Sequence, residues 1–120
     1  MSSFGGIMVV RNVRDKEVLE TTYRAHGGAT AQMILDGRVL KELGFLAIAR
    51  LEPGRRIEPH IDPMEEIYFI VNGEGEMSVD DETKRVVAGD AVWIPTGSRY
   101  ALANVGNEEC VILVIASLGV

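Results

Sequence analysis

Turn-forming residues interrupt this chain so often that no long helix fits between them. Residues 45–52 form an apolar run that stops at Pro53-Gly54, and residues 67–71 stop at Asn72-Gly73. Residues 75–79 lead into Asp80-Asp81-Glu82, and residues 84–88 stop at Gly89-Asp90. Residues 91–94 stop at Pro95-Thr96-Gly97, residues 99–103 at Asn104, and residues 109–116 close the series. Residues 7–10 and 31–35 add two strands nearer the start. Short β-branched runs with a turn roughly every 8–12 residues predict an all-β antiparallel sandwich or barrel. Helix signals are few: residues 38–43 fit about one turn between Gly37 and Gly44, and residues 16–23 are ambiguous.

The run Cys110-Val111-Ile112-Leu113-Val114-Ile115-Ala116 does not alternate in polarity. A strand apolar on both faces needs cover on both. One face lines the core. The other is met either by the chain's own N-terminal strands or by a second subunit, and symmetric pairs are the commonest oligomers, so a homodimer is expected.

At 120 residues there is room for one sizeable core and not for two ordinary domains. The division expected is residues 1–44 as N-terminal strands and loops and residues 45–120 as the barrel. Eighteen acidic against twelve basic residues give a net charge of −6. That balance repels phosphate backbones and anionic lipid, so neither a nucleic-acid nor a membrane partner is expected. The single cysteine, Cys110, cannot form an internal disulfide, and no signal-peptide pattern or long apolar span is visible, so a cytoplasmic location is expected.

The most specific pattern lies between Gly54 and Asn104. Gly54 is followed by five residues, His60-Ile61-Asp62, three residues, Glu66, six residues and Gly73. Fifteen residues later come Gly89, five residues, Pro95-Thr96-Gly97, two residues, Tyr100, three residues and Asn104. Residues two apart on a strand share a face, so His60 and Asp62 project together, as do Glu66 and Tyr68.

This register resembles the two-motif signature of the cupin superfamily: Gly, five residues, His-x-His, Glu and Gly, then Gly, Pro-x-Gly, His and Asn. The resemblance implies a jelly-roll barrel, the double-stranded β-helix. It also implies that the positions His60, Asp62, Glu66 and Tyr100 converge on one divalent metal inside the barrel. Two of the family's three histidines are replaced here, by Asp62 and Tyr100. The resulting set of one nitrogen and three oxygens suits a harder ion, and tyrosine ligation favours iron, with manganese next.

The same residues allow metal-free chemistry. His60 and Tyr100 facing one cavity make a base and acid pair for proton transfer, as the resemblance to cupin sugar epimerases also implies. Asp62 would then hold His60 in one tautomer. Against each stands a plainer role: a surface turn pair for His60 and Asp62, a solvated strand position for Glu66, barrel filling for Tyr100. Tyr68 is expected to line the pocket, Trp93 to lie in core or interface, and Arg50 and Arg99 to form surface ion pairs. His26, in Ala25-His26-Gly27-Gly28, reads as a loop histidine, although small cupins also bring an N-terminal segment over the barrel mouth. There is no phosphate-cradling Gly-rich loop with lysine, no serine elbow and no paired CxxC.

Three functions follow as expectations: a metal-dependent enzyme acting on a small polar metabolite, a metal-free isomerase or epimerase using His60 and Tyr100, and a non-catalytic small-molecule binding protein. Fold alone does not choose among them.

Overall fold

The computed structural model describes residues 8–119. One short helix, α1 (Lys16–Leu19), precedes ten strands: β1 (Tyr23–Ala25), β2 (Ala29–Leu35), β3 (Leu43–Leu51), β4 (Arg56–Ile61), β5 (Glu66–Asn72), β6 (Glu74–Val79), β7 (Glu82–Val87), β8 (Ala91–Ile94), β9 (Arg99–Asn104) and β10 (Cys110–Ser117). They form a six-stranded sheet in the order β1-β2-β3-β10-β5-β8 and a four-stranded sheet in the order β4-β9-β6-β7. Every ladder is antiparallel. The all-β antiparallel architecture expected from the turn spacing, and the jelly roll that the family resemblance implies, are present.

Alternation along the strands builds the core between the sheets. Leu51, Ile70, Ile94, Leu102 and Ile112 are fully buried there, with Tyr68, Tyr100 and four alanines of β2 and β3. Each sheet face is sorted by period two, so a residue's parity decides whether it meets the interior.

β10 lies centrally in its sheet, between β3 and β5. Part of its outer face is covered by the chain's own start, because Val13 and Val18 pack with Ile34, Ile48, Val111 and Leu113 in a second apolar cluster. The cover comes from the N-terminal turn and α1 rather than from N-terminal strands. It stops short of β5 and β8, where Ile67, Phe69 and Trp93 remain exposed.

Several local expectations change. Residue 7 of the expected strand 7–10 lies outside the described residues, and residues 8–10 join neither sheet. Residues 38–43 form no helix: Leu40 N–H donates to Asp36 O in a single turn, and Leu43 already belongs to β3. The ambiguous stretch resolves into four helical residues and the start of β1.

Candidate metal centre

Four segments meet at one mouth of the barrel. His60 on β4 is the register partner of Tyr100 on β9. Asp62 follows β4 directly, and its backbone carbonyl accepts from Gly97 N–H at 3.2 Å, which ties the Pro95-Thr96-Gly97 turn to it. Glu66 opens β5 and is 3% exposed. The fourth segment is the β1–β2 turn. His26 sits there at φ 48°, a left-handed conformation that few non-glycine residues adopt.

That turn is bolted across to the other sheet. His26 O accepts from Glu58 N–H at 2.8 Å, and Gly27 forms a bridge with Ile57. Gly28 presses so closely on β4 that a Cβ would lie 2.1 Å from Arg56 O. The His26 ring thereby stacks on His60, centroids 3.5 Å apart and planes within 11°.

The His60 ring has a fixed polarity. Nδ1 lies 2.8 Å from Glu58 O. A carbonyl oxygen only accepts, so Nδ1 carries the proton and Nε2 of the neutral ring points its lone pair into the site. Nε2 is buried and has no hydrogen-bond partner among the described residues. Its nearest charged neighbour is Asp62 Oδ2, 3.4 Å away. Two electron-rich atoms facing each other in a buried space call for a cation or a proton between them. Nitrogen and carboxylate atoms of His26, His60 and Asp62 all lie within 4.8 Å of one another, close enough to share one ion. Burial lowers the His26 pKa, and the neighbouring His60 adds to the effect, so His26 stays neutral and able to ligate.

Behind this group lies a proton-sharing set. Tyr100 Oη is 2.7 Å from Asp62 Oδ2 and 2.7 Å from Glu66 Oε1. One phenol proton can be donated to one of them only. The second short contact is satisfied when the other carboxyl is protonated and donates to the phenol oxygen. Glu66 is that carboxyl: burial raises its pKa to about 7, and the proximity of Asp62 adds to the rise. Burial acts on Asp62 in the same direction, but hydrogen bonds with Tyr100 and Glu66 outweigh it and hold Asp62 low. Burial likewise raises Tyr100 and Tyr68, which remain phenols.

All four positions implied by the motif register therefore meet in one network. Asp62 joins its two halves, facing His60 Nε2 on one side and bonding to Tyr100 on the other, and Tyr100 in turn bonds to Glu66. Tyr68 lines the cavity as expected, its ring edge-on to Tyr100 at 5.7 Å. His26 is the residue that sequence reasoning set aside. The two glycines after it were the available signal, since they permit the tight turn that brings it over the mouth. Arg50 pairs with Glu109, as expected of a surface cation. Trp93 is 63% exposed, its Nε1 donating to Glu65 Oε2, so it lies at the surface and not in the core.

The cavity under these groups is small, about 50 Å³. A larger recess of about 610 Å³ opens where β6 and β7 face β8 at the edges of the two sheets, lined by Met77, Val79, Val86 and Val92 among others. It contains none of His26, Asp62, Glu66, Tyr68 and Tyr100, which all line the smaller cavity.

Comparison with known proteins agrees with this architecture. Residues 47–116 match the family model described as Cupin domain. The polyketide synthase CurC of Streptomyces cyaneus is 34% identical over 87 residues, which are 72% of this chain and 56% of that protein. Protein SchB of Streptomyces halstedii is 29% identical over 87 residues, 72% of this chain and 63% of that protein. The chain thus spans little more than half the length of these relatives. A predicted oxalate decarboxylase from Thermotoga maritima superposes with TM-score 0.77 and 26% identity, over 92% of this chain and 99% of that one. The polyketide cyclase RemF from Streptomyces resistomycificus superposes with TM-score 0.74 and 19% identity, over 92% and 80%, a likeness of fold alone.

Proposed function

The chain belongs to the cupin family, and from that membership we propose that it is a metal-dependent enzyme whose barrel mouth holds one divalent ion on His26, His60 and Asp62. The single observation that carries this reading is the buried, unpartnered Nε2 of His60, aimed at Asp62 and overlaid by His26. Two imidazoles and one carboxylate with open positions form the donor set typical of non-haem iron(II), with manganese(II) as the nearest alternative. When bound, such an ion polarises an oxygen of the ligand.

The protein's own groups do the rest. Glu58 O fixes the His60 tautomer, and the stacked His26 ring limits access from solvent. Tyr100 and Glu66 hold a shared proton at Tyr100 Oη, 2.7 Å from each carboxyl, and deliver or take it as charge changes in the ligand. The substrate class is a small polar metabolite. The resemblance to a predicted oxalate decarboxylase and to the polyketide synthase CurC supports proton or carboxyl chemistry beside a carbonyl.

Metal analysis and calorimetric titration with iron(II) or manganese(II), on protein purified without a histidine tag, test this. About one equivalent is expected. His26→Ala, His60→Ala and Asp62→Asn should each weaken binding by more than the roughly 100-fold that loss of an outer partner costs. Less than about a tenth of an equivalent after both metals are offered contradicts the reading. A metal-free isomerase using His60 and Tyr100 is then favoured, since their rings lie 4.3 Å apart on paired strands.

The chain is further proposed to pair with a second copy through the outer face of its six-stranded sheet. Trp93, Ile67 and Ile115 form one cross-strand row there, and Phe69 lies beside it. All are at least 37% exposed and continue the apolar face that α1 covers only in part. A patch of this kind meets its own copy across a two-fold axis.

A further inference from the structure

We propose that the alanines of β2 and β3 select the ligand: a compact carbonyl compound that turns its oxygen toward His26, Asp62 and Tyr100 and buries about one to three aliphatic carbons against the alanines. The inference deepens the reading of the barrel mouth as the functional site and rests on it.

The wall is set by register. Ala31 pairs with Ala49, and Ala47 lies two residues earlier on β3, opposite Met33. Ala29 completes the group on β2. All four face inward and are no more than 4% exposed. Across β10 the row continues from Ala47 to Val114 and then to Tyr68. Larger side chains at these positions would fill the interior, as Leu51 does in the next row of β3. The alanines leave instead a cavity of about 50 Å³. That is room for roughly four water-sized groups, or the end of a molecule with about four to five non-hydrogen atoms.

One side of the cavity is apolar. Asp62, which follows β4, and Tyr100 on β9 face the alanines, Tyr23, Glu66 and Tyr68 flank them within their own sheet, and His26 comes from the β1–β2 turn, while the alanine methyls themselves offer no hydrogen bond. A ligand polar at both ends would lose hydration at the methyl side without compensation. No lysine or arginine lines the space, so nothing there pairs with a second anionic group. A ring system does not fit either, because the alanine side chains have no rotamers with which to yield and the β2–β3 backbone would have to separate.

The test uses simple amides as probes, because they carry the carbonyl oxygen without a charge. The protein is labelled at alanine methyl carbons and titrated with acetamide, propionamide, hexanamide and benzamide, with and without zinc(II) as a diamagnetic ion. Acetamide and propionamide should shift the methyl signals of Ala31 and Ala49, and the two larger amides should bind at least roughly tenfold more weakly. Ala49→Leu should abolish the propionamide response while circular dichroism and zinc(II) affinity stay unchanged. Ala31→Val, a smaller step from the neighbouring strand, should weaken it in the same direction and covers the case in which the leucine variant does not fold. Benzamide binding as tightly as acetamide, no methyl response to any amide, or an unchanged response in a folded variant would overturn the inference. The zinc(II) arm separates the two claims. A size cut-off that zinc(II) does not strengthen leaves the alanine selection standing and counts against the metal reading, whereas zinc(II) binding without a size cut-off does the reverse.

Discussion

Glu66 holds the proton balance of the barrel mouth, and its effect on stability can be signed. Its pKa in the folded, metal-free protein is raised from 4.5 to about 7, chiefly by burial. A raised value means that the folded state holds the proton more tightly than the unfolded chain. The corresponding stability is full below pH 4.5 and is lost as pH rises through about 7. Asp62 is shifted down and acts oppositely: its contribution is present above the ordinary aspartate value and is lost on acidification. The melting temperature of metal-free protein should therefore fall between pH 5 and 7.5, and Glu66→Gln should flatten that slope, as calorimetry across the range would show. A slope unchanged by the substitution would mean that Glu66 titrates normally. Tyr100→Phe removes the hydroxyl that both carboxyls share and should destabilise by about 1–3 kcal/mol in chemical denaturation, since it strands two buried oxygens. His60, Asp62, Glu66 and Tyr100 were legible in the sequence because their register matches the two-motif signature on which the family resemblance rests. His26 was not, because its role depends on a left-handed turn that crosses from one sheet to the other, and no local periodicity encodes that crossing.

Among the elements, β4 and the β1–β2 turn escaped the reading of apolar runs for a physical reason. β4 is an edge strand with Pro59 and mostly exposed residues, so it lacks the alternation that marks a half-buried strand. β1 has only three residues, two of them exposed. Residues 38–43 fitted about one helical turn between Gly37 and Gly44, yet pairing with β10 extends β3 back to Leu43. The β1–β2 turn is tested by Gly28→Ala. Its Cβ would meet the Arg56 backbone at 2.1 Å, so the turn must lift from β4 and carry His26 away. Metal affinity should fall as far as in His26→Ala while the far-ultraviolet circular dichroism stays that of the parent; undiminished affinity would remove His26 from the site. Asn104, by contrast, serves the fold. Its Nδ2 donates to Leu51 O and Glu108 O, and its Oδ1 accepts from Gly106 N–H. Asn104→Ala should destabilise by about 2–4 kcal/mol with metal affinity retained.

On the scale of the whole molecule, turn spacing alone foretold two packed antiparallel sheets, because each turn limits a strand to a length that only a sandwich or barrel accommodates. What the non-alternating β10 left open was the source of its outer cover. The structure divides that face: Val13 and Val18 cover its inner half, and Ile67, Phe69 and Trp93 stay exposed beyond it. Phe69→Glu should convert the proposed pair into a monomer of 13.1 kDa in sedimentation experiments without altering metal content. A parent chain already monomeric at high concentration would contradict the pairing. Among the described residues no helix is long and apolar enough to cross a membrane. One buried nitrogen and what it faces decide the metal reading. Crystals soaked in iron(II) without oxygen, measured at the iron absorption edge, test it. A single anomalous peak bonded to His60 Nε2, Asp62 and His26 is expected; a map empty there, with a water donating to Nε2 instead, would refute metal binding at this site.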